Sequence, residues 1–159
     1  MPITPFHLGV GVLVKATCRR HFSFLIFSWS QVLMDIEPLI RLVRHKAVVH
    51  GPSHTLVGAL VVGLTSAAVG KPITQVVLRM VRRPCAIAWP VALCSALVGT
   101  YSHIILDAMM HRDMRPLWPI SSTNPLLELL SIEWLHFLCV LAGVVGLGML
   151  RSSQNTPQE

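Results

Sequence analysis

Gly99-Thr100-Tyr101-Ser102-His103-Ile104-Ile105-Leu106-Asp107-Ala108-Met109-Met110-His111 closes a long apolar run and carries His103 and Asp107 four residues apart. On a helix that spacing puts both side chains on one face, within reach of a common ligand. A carboxylate at the end of an apolar segment is expensive to bury without a partner. The partners the rest of the chain offers are His7, Asp35, Glu37, His50 and His54, an inventory that suits a metal site better than a salt bridge. A lone polar cap at a membrane helix end is the plainer reading of the pair. It leaves unexplained why five further ligand-type residues each stand beside an apolar segment.

Composition sets the environment. Of 159 residues 53% are hydrophobic and only 13% charged, and the mean hydropathy is +0.63. That is too apolar for a small soluble domain and leaves room for one compact unit. The net charge of +6 comes from basic residues scattered between apolar segments, with no aromatic-interleaved basic face, so it fits the flanks of membrane segments and excludes a nucleic-acid partner. Cys18, Cys85, Cys94 and Cys139 lie in or beside apolar runs without Cys-x-x-Cys spacing and read as small core residues. No basic leader precedes the first apolar run, so that segment is expected to be retained.

Outward from Gly99 to His111, the chain divides into apolar segments with ligand-type residues at their ends. Thr4 and Pro5 read as the cap and first position of a helix over Phe6 to Thr17. At about 18 Å it falls short of the roughly 30 Å hydrocarbon layer and must be tilted, re-entrant or helped by Lys15, Arg19 and Arg20. The second segment, Phe22 to Met34, is predicted to stop at Asp35-Ile36-Glu37-Pro38, where an extended Asp-x-Glu would turn both carboxyls to one side. Leu39 to Val49 reads as an interfacial stretch leading to His50-Gly51-Pro52-Ser53-His54-Thr55, with a cap for the third segment, Thr55 to Val69. Gly70-Lys71-Pro72 is predicted to end that segment, and Ile73 to Pro84 to form a basic amphipathic loop. The fourth segment runs from Cys85 to Met110, interrupted at Pro90, and a proline-stiffened connection precedes a last segment opening at Asn124-Pro125. The pattern predicts an all-α integral membrane protein, a compact bundle of about four to five transmembrane or re-entrant helices over residues 1–150, with a disordered polar tail over 151–159.

Alternating these segments across a bilayer brings every candidate ligand to one side. The other side receives Lys15, Arg19, Arg20, Lys71, Arg79, Arg82, Arg83 and Arg151, which marks it as cytoplasmic and puts the site at the periplasmic face of an inner membrane. Histidine nitrogens with carboxylate oxygens form the ligand set of zinc, manganese or ferrous hydrolytic sites. The expected metal ligands are His7, Asp35, Glu37, His50, His54, His103 and Asp107, more than one four-coordinate ion needs. One or two divalent ions are therefore expected, zinc foremost, with manganese or iron as alternatives, and Glu37, His54 and Asp107 are the catalytic candidates. Arg112 and Arg115, just beyond Asp107, are candidates for an anionic substrate group such as phosphate. His111 could join the Asp107 face at i, i+4 but stands behind the others.

Four blocks in order, His7-Leu8-Gly9, Asp35-Ile36-Glu37-Pro38, His50-Gly51-Pro52-Ser53-His54-Thr55, and Gly99 to Asp107 with the distal Pro116-Leu117-Trp118-Pro119, cover most of residues 6–120. In these the chain resembles the YdjM-like family of small bacterial integral membrane proteins, described as membrane-bound metal-dependent hydrolases. The family turn is usually Pro-Asp-x-Asp-His. Here Met34, Glu37 and Pro38 replace the proline, the second aspartate and the histidine, and the block from His50 is shorter than the usual His-Arg-Gly-x-Thr-His-Ser. The resemblance implies a hydrolase, and the ligand pattern is also similar to that of zinc-dependent phospholipases C, which points to an ester or phosphoester of a membrane lipid or membrane-associated substrate. The alternatives are a metal or proton transporter, or an inactive structural or regulatory membrane protein.

Overall fold

The computed structural model describes residues 5–154, and all regular structure in them is helical. Five helices follow one another: α1 (His7–Cys18), α2 (Phe24–Val43), α3 (Leu56–Met80), α4 (Trp89–Met110) and α5 (Ile132–Gln154). Short 3-10 turns at Arg19–His21 and Pro52–His54 precede α2 and α3. Three helices, α3, α4 and α5, are long and apolar enough to cross a membrane, and the chain is a multi-pass membrane bundle.

The helices start where local chemistry lets them. Ser23 Oγ accepts from the Ile26 N–H at the head of α2, and Thr55 Oγ1 accepts from the Gly58 N–H at the head of α3. Pro90 lies in the first turn of α4, where its missing N–H costs nothing, so the interruption read there is a helix start. At the head of α1 the Thr4 cap lies outside the described residues; the helix begins at His7 after Phe6, without a side-chain cap.

Two predicted stops are not stops. α2 continues through Pro38 to Val43, and α3 continues through Gly70-Lys71-Pro72 to Met80, so most of the expected basic loop is helix. Proline is tolerated inside membrane helices because neighbouring helices and local adjustment satisfy the backbone groups it frees. Pro38 is buried, packed into the bundle. At the C-terminal side the reverse holds. Residues 125–130 form turns and bends, α5 begins only at Ile132, and it carries Arg151 to Gln154 into a helix where a disordered tail was expected, the rest of that tail lying outside the described residues.

Packing is inside out relative to a soluble protein. The buried hydrophobics of α3 and α4 are mostly alanines, Ala59, Ala67, Ala92, Ala96 and Ala108, while Val57, Val61, Leu64 and, on α5, Val140, Val144 and Leu147 face outward. Small residues let backbones approach where lipid removes the hydrophobic drive between helices. Gly99 shows the need most sharply: a Cβ there would collide with Ser30 Oγ of α2. α3 runs antiparallel to α4, with Tyr101 Oη donating to the Leu56 carbonyl at one end and the Lys71 ammonium 3.9 Å from the Trp89 ring centroid at the other. α1 lies along α5, with Phe6 stacked on His136 at 4.2 Å.

This arrangement brings the N-termini of α1, α3 and α5 and the C-termini of α2 and α4 to one end. The connection after α4 folds back over that end: Asn124 Nδ2 donates to the Ala108 carbonyl at 2.8 Å, and the Glu128 N–H donates to the Met109 carbonyl at 3.1 Å. These bonds satisfy carbonyls that the last turn of α4 leaves open.

Candidate metal centre

At that end the core turns polar. Asp107 and His103 are wholly buried, and His54, His7 and His50 are buried around them. Their placement follows from the helices that carry them. His103 and Asp107 share one face of α4, His54 is held by the 3-10 turn before α3, His7 opens α1, and Asp35 comes from α2. His103 Nε2 lies 3.2 Å from Asp107 Oδ2, 3.3 Å from His54 Nε2 and 3.4 Å from Asp35 Oδ1, and His54 Nε2 lies 3.7 Å from Asp107 Oδ2. Ligands held about 2.0–2.2 Å from a tetrahedral ion stand roughly 3.3–3.6 Å from one another. The four distances lie at or close to that spacing, and all four residues offer an atom within 4.8 Å of the others.

A second group shares Asp107. His50, Asp107 and His111 each offer an atom within 4.8 Å of the others, and the His50 and His111 rings lie 4.3 Å apart. On the far side of the carboxylate, Asp107 Oδ1 lies 3.5 Å from His7 Nε2. Among the described residues both Asp107 oxygens and His50 Nε2 are buried without a hydrogen-bond partner. Buried polar atoms are ordinarily paired, and a carboxylate left without hydrogen bonds among imidazoles calls for positive charge at its oxygens. The residues present fit a divalent cation.

The imidazoles are oriented from behind. His103 Nδ1 donates to Gln31 Oε1 at 2.7 Å, and Gln31 is itself fixed because its Nε2 donates to the Gly99 carbonyl at 3.0 Å. His50 Nδ1 donates to Asp113 Oδ1 at 2.8 Å, while Asp113 Oδ2 accepts from the N–H groups of Val49 and His50. His54 Nδ1 pairs with Ser53 Oγ at 2.9 Å, and His111 Nδ1 with the Asp107 carbonyl at 3.1 Å. Every one of these rings therefore uses Nδ1 for the scaffold and leaves Nε2 for a ligand, the arrangement that fixes tautomer and orientation in metal sites.

Electrostatics agree for the groups outside the membrane helices. Burial holds the His54 imidazole far below its usual pKa, at about 3, with His103 adding to the effect and Asp107 opposing it. His54 is then neutral and ligand-competent at physiological pH. Burial raises Asp113, but the backbone N–H and imidazole of His50 outweigh it, and the carboxyl is held down at about 2 as a permanent acceptor. His111 is lowered, chiefly by burial.

Glu37 lies elsewhere. Because α2 stays helical, residues two apart point about 200° from each other, and the shared face expected for Asp35 and Glu37 does not form. Glu37 Oε1 accepts from Arg41 Nε and Oε2 accepts from the Ser53 N–H, both at 2.8 Å. It braces the turn that carries His54, and Gly51 makes room for it, since a Cβ there would strike Glu37 and Arg41. Of the two arginines, Arg112 is exposed and paired with Glu128 at 2.6 Å, and Arg115 is exposed on the same connection. Three residues gain weight: His111, Asp113 and Gln31. His111 carried an i, i+4 signal and Gln31 stood as a polar residue in an apolar run. Asp113 meets His50 across 63 positions with no local mark.

No curated protein and no solved structure matches the chain. Residues 21–158 match the model of a family described as YdjM inner membrane protein, which takes in the candidate ligands from α2 to the end of α4 and leaves His7 outside. A match over most of the length, together with a helical membrane bundle holding a buried His/Asp cluster, settles the affiliation: the chain belongs to the YdjM family.

Proposed function

We propose that the protein is a membrane-embedded, metal-dependent hydrolase that cleaves an ester or phosphoester of a lipid or membrane-associated substrate. The observation that carries the reading is the Asp107 carboxylate, wholly buried, with the Nε2 atoms of His50, His54, His103 and, on its other oxygen, His7 directed at it. Asp35, His54, His103 and Asp107 would hold one divalent ion, zinc by preference for this donor set, and His50, Asp107 and His111 a second. Such an ion supplies Lewis-acid polarisation of the scissile group and positive charge against the oxyanion that develops there. The chain's own residues do the rest. Asp35 turns Oδ1 to His103, and with its side chain 24% exposed the other oxygen of this carboxylate, which would not hold the ion, is the base for the proton of an attacking water. Gln31, Ser53 and Asp113 hold the imidazoles still while charge changes in front of them.

Transport is the weaker reading, because a proton or ion relay needs ionisable groups along the path. Between the His/Asp end and the basic end, the described buried polar residues of α2, α3 and α4 are Ser, Thr and Gln31.

Purified protein should release product from a phospholipid or carboxylic ester, lose that activity on chelation and regain it with zinc. Activity that survives exhaustive chelation would overturn the reading. The basic residues Lys15, Arg19, Arg20, Arg79, Arg82 and Arg83 lie at the end opposite the centre, which supports a cytoplasmic placement of that end and a periplasmic face of the inner membrane for the site. Reporters fused in the connection at residues 81–88 should give cytoplasmic signals, and a periplasmic signal there would reverse the orientation.

A further inference from the structure

Between α2 and α3 runs a cleft of about 650 Å³, the size of a small-molecule site. Its lower walls are apolar, with Leu33, Ile36 and Ile40 of α2 facing Val61 and Val62 of α3. Its upper rim, where α2 ends, carries Arg41, Arg44 and Lys46. Arg41 is spent on Glu37, at 2.8 Å, and the two charges cancel. Arg44 and Lys46 are exposed, and neither side chain has an ion-pair or hydrogen-bond partner among the described residues. From Leu33 to Ile40 the helix rises by about 10 Å, so the apolar wall takes roughly half of an acyl chain before the cations begin.

We propose that this cleft binds a membrane phospholipid with an anionic headgroup, its acyl chain along Leu33, Ile36, Ile40 and Val62 and its headgroup between Arg44 and Lys46. The charge pattern selects that occupant: a neutral chain would use the apolar wall and leave the two cations unanswered, and a soluble anion would use the cations and leave the wall bare. Continuity with the metal centre gives the groove a purpose. Ser53 lines it, and the Oγ of the same residue pairs with His54 Nδ1. A lipid seated there touches Ser53, the residue that orients His54 from behind, which favours anionic glycerophospholipid as the substrate class. That last step rests on the hydrolase reading; the binding does not.

The test separates the two. Full-length protein is reconstituted in nanodiscs of equal phosphatidylglycerol and phosphatidylcholine, extracted into mild detergent, and its retained lipid counted by native mass spectrometry. Wild type should retain phosphatidylglycerol preferentially, and Arg44→Gln and Lys46→Gln should each weaken that preference by about fivefold, as expected for one basic side chain near an anionic headgroup. Val62→Trp, which fills the apolar wall, should lower retention of both lipids. His103→Ala should keep the wild-type preference. No preference in wild type, or a preference unchanged in the Arg44→Gln/Lys46→Gln double variant, would overturn the groove; so would displacement of the lipid by millimolar inorganic phosphate alone. If binding behaves as stated and no phospholipid is hydrolysed, the groove stands and phospholipid as the substrate class falls.

Discussion

Asp107 carries more of the centre than any other side chain. It is shared by both ligand groups, and three imidazole nitrogens approach its Oδ2 within 3.9 Å. The imidazoles around it must be neutral to bind a cation, and His54 shows how the protein keeps one so. Burial opposes its protonation and holds its pKa at about 3, against 6.5 for an ordinary histidine. In the unfolded chain the same imidazole takes up a proton as pH falls through 6.5. Between about 6.5 and about 3 the unfolded state thus binds more protons than the folded state, so stability falls as pH falls through that window and is level above it. Asp113, held at about 2, acts in the same direction at the acid end, its contribution being present above the ordinary carboxyl value and lost as pH drops towards 2. For chelated protein in detergent, the thermal midpoint should decline between pH 7 and pH 4, and His54→Gln should flatten the decline. A midpoint that rises on acidification would contradict a buried neutral His54.

At the scale of elements, the difference between Asp35 and Glu37 is the sharpest lesson. In sequence they form an Asp-x-Glu before a proline, and an extended backbone would have aimed both at one ion. What decides the outcome is whether Pro38 ends α2, and it does not: the helix runs on to Val43 with Pro38 packed into the bundle. The helix then separates the two carboxylates. Asp35 goes to the cluster, and Glu37 holds the Ser53 N–H and Arg41. α3 likewise runs on through Pro72. Glu37→Gln should therefore leave metal content unchanged and lower thermal stability by about 1–2 kcal/mol, the cost of weakening charge-assisted bonds to the turn. Asp35→Asn should lower metal content. Loss of metal in Glu37→Gln with its fold intact, judged by circular dichroism, would return Glu37 to the ligand set.

Across the whole molecule, the gathering of the candidate ligands was legible because successive helices alternate in direction. Once His7, His50/His54 and His103/Asp107 are seen to stand at the starts and ends of successive apolar runs, an up-and-down bundle must collect them at one end, and it does. The expense of burying ionisable groups in an apolar setting made those residues conspicuous. The supports behind them were harder to see. Gln31 and Asp113 are ordinary residues until the fold sets them against His103 and His50, across 72 and 63 positions. The ends of α2 and α3 lie beyond Pro38 and Pro72, the prolines read as stops. The arginines after Asp107 looked close to the site along the chain, yet Arg112 is held by Glu128 on the exposed connection, and the unanswered cations beside the cleft, Arg44 and Lys46, come from the end of α2. The central claim is that the buried His/Asp cluster binds metal. Its most direct measurement is the metal content per chain of purified wild type beside His103→Ala and Asp107→Ala, each checked for helix content. The account predicts one or two divalent ions in wild type, with the content lowered by His103→Ala and lowered further by Asp107→Ala, which touches both groups. Folded variants that both keep the wild-type stoichiometry would contradict it.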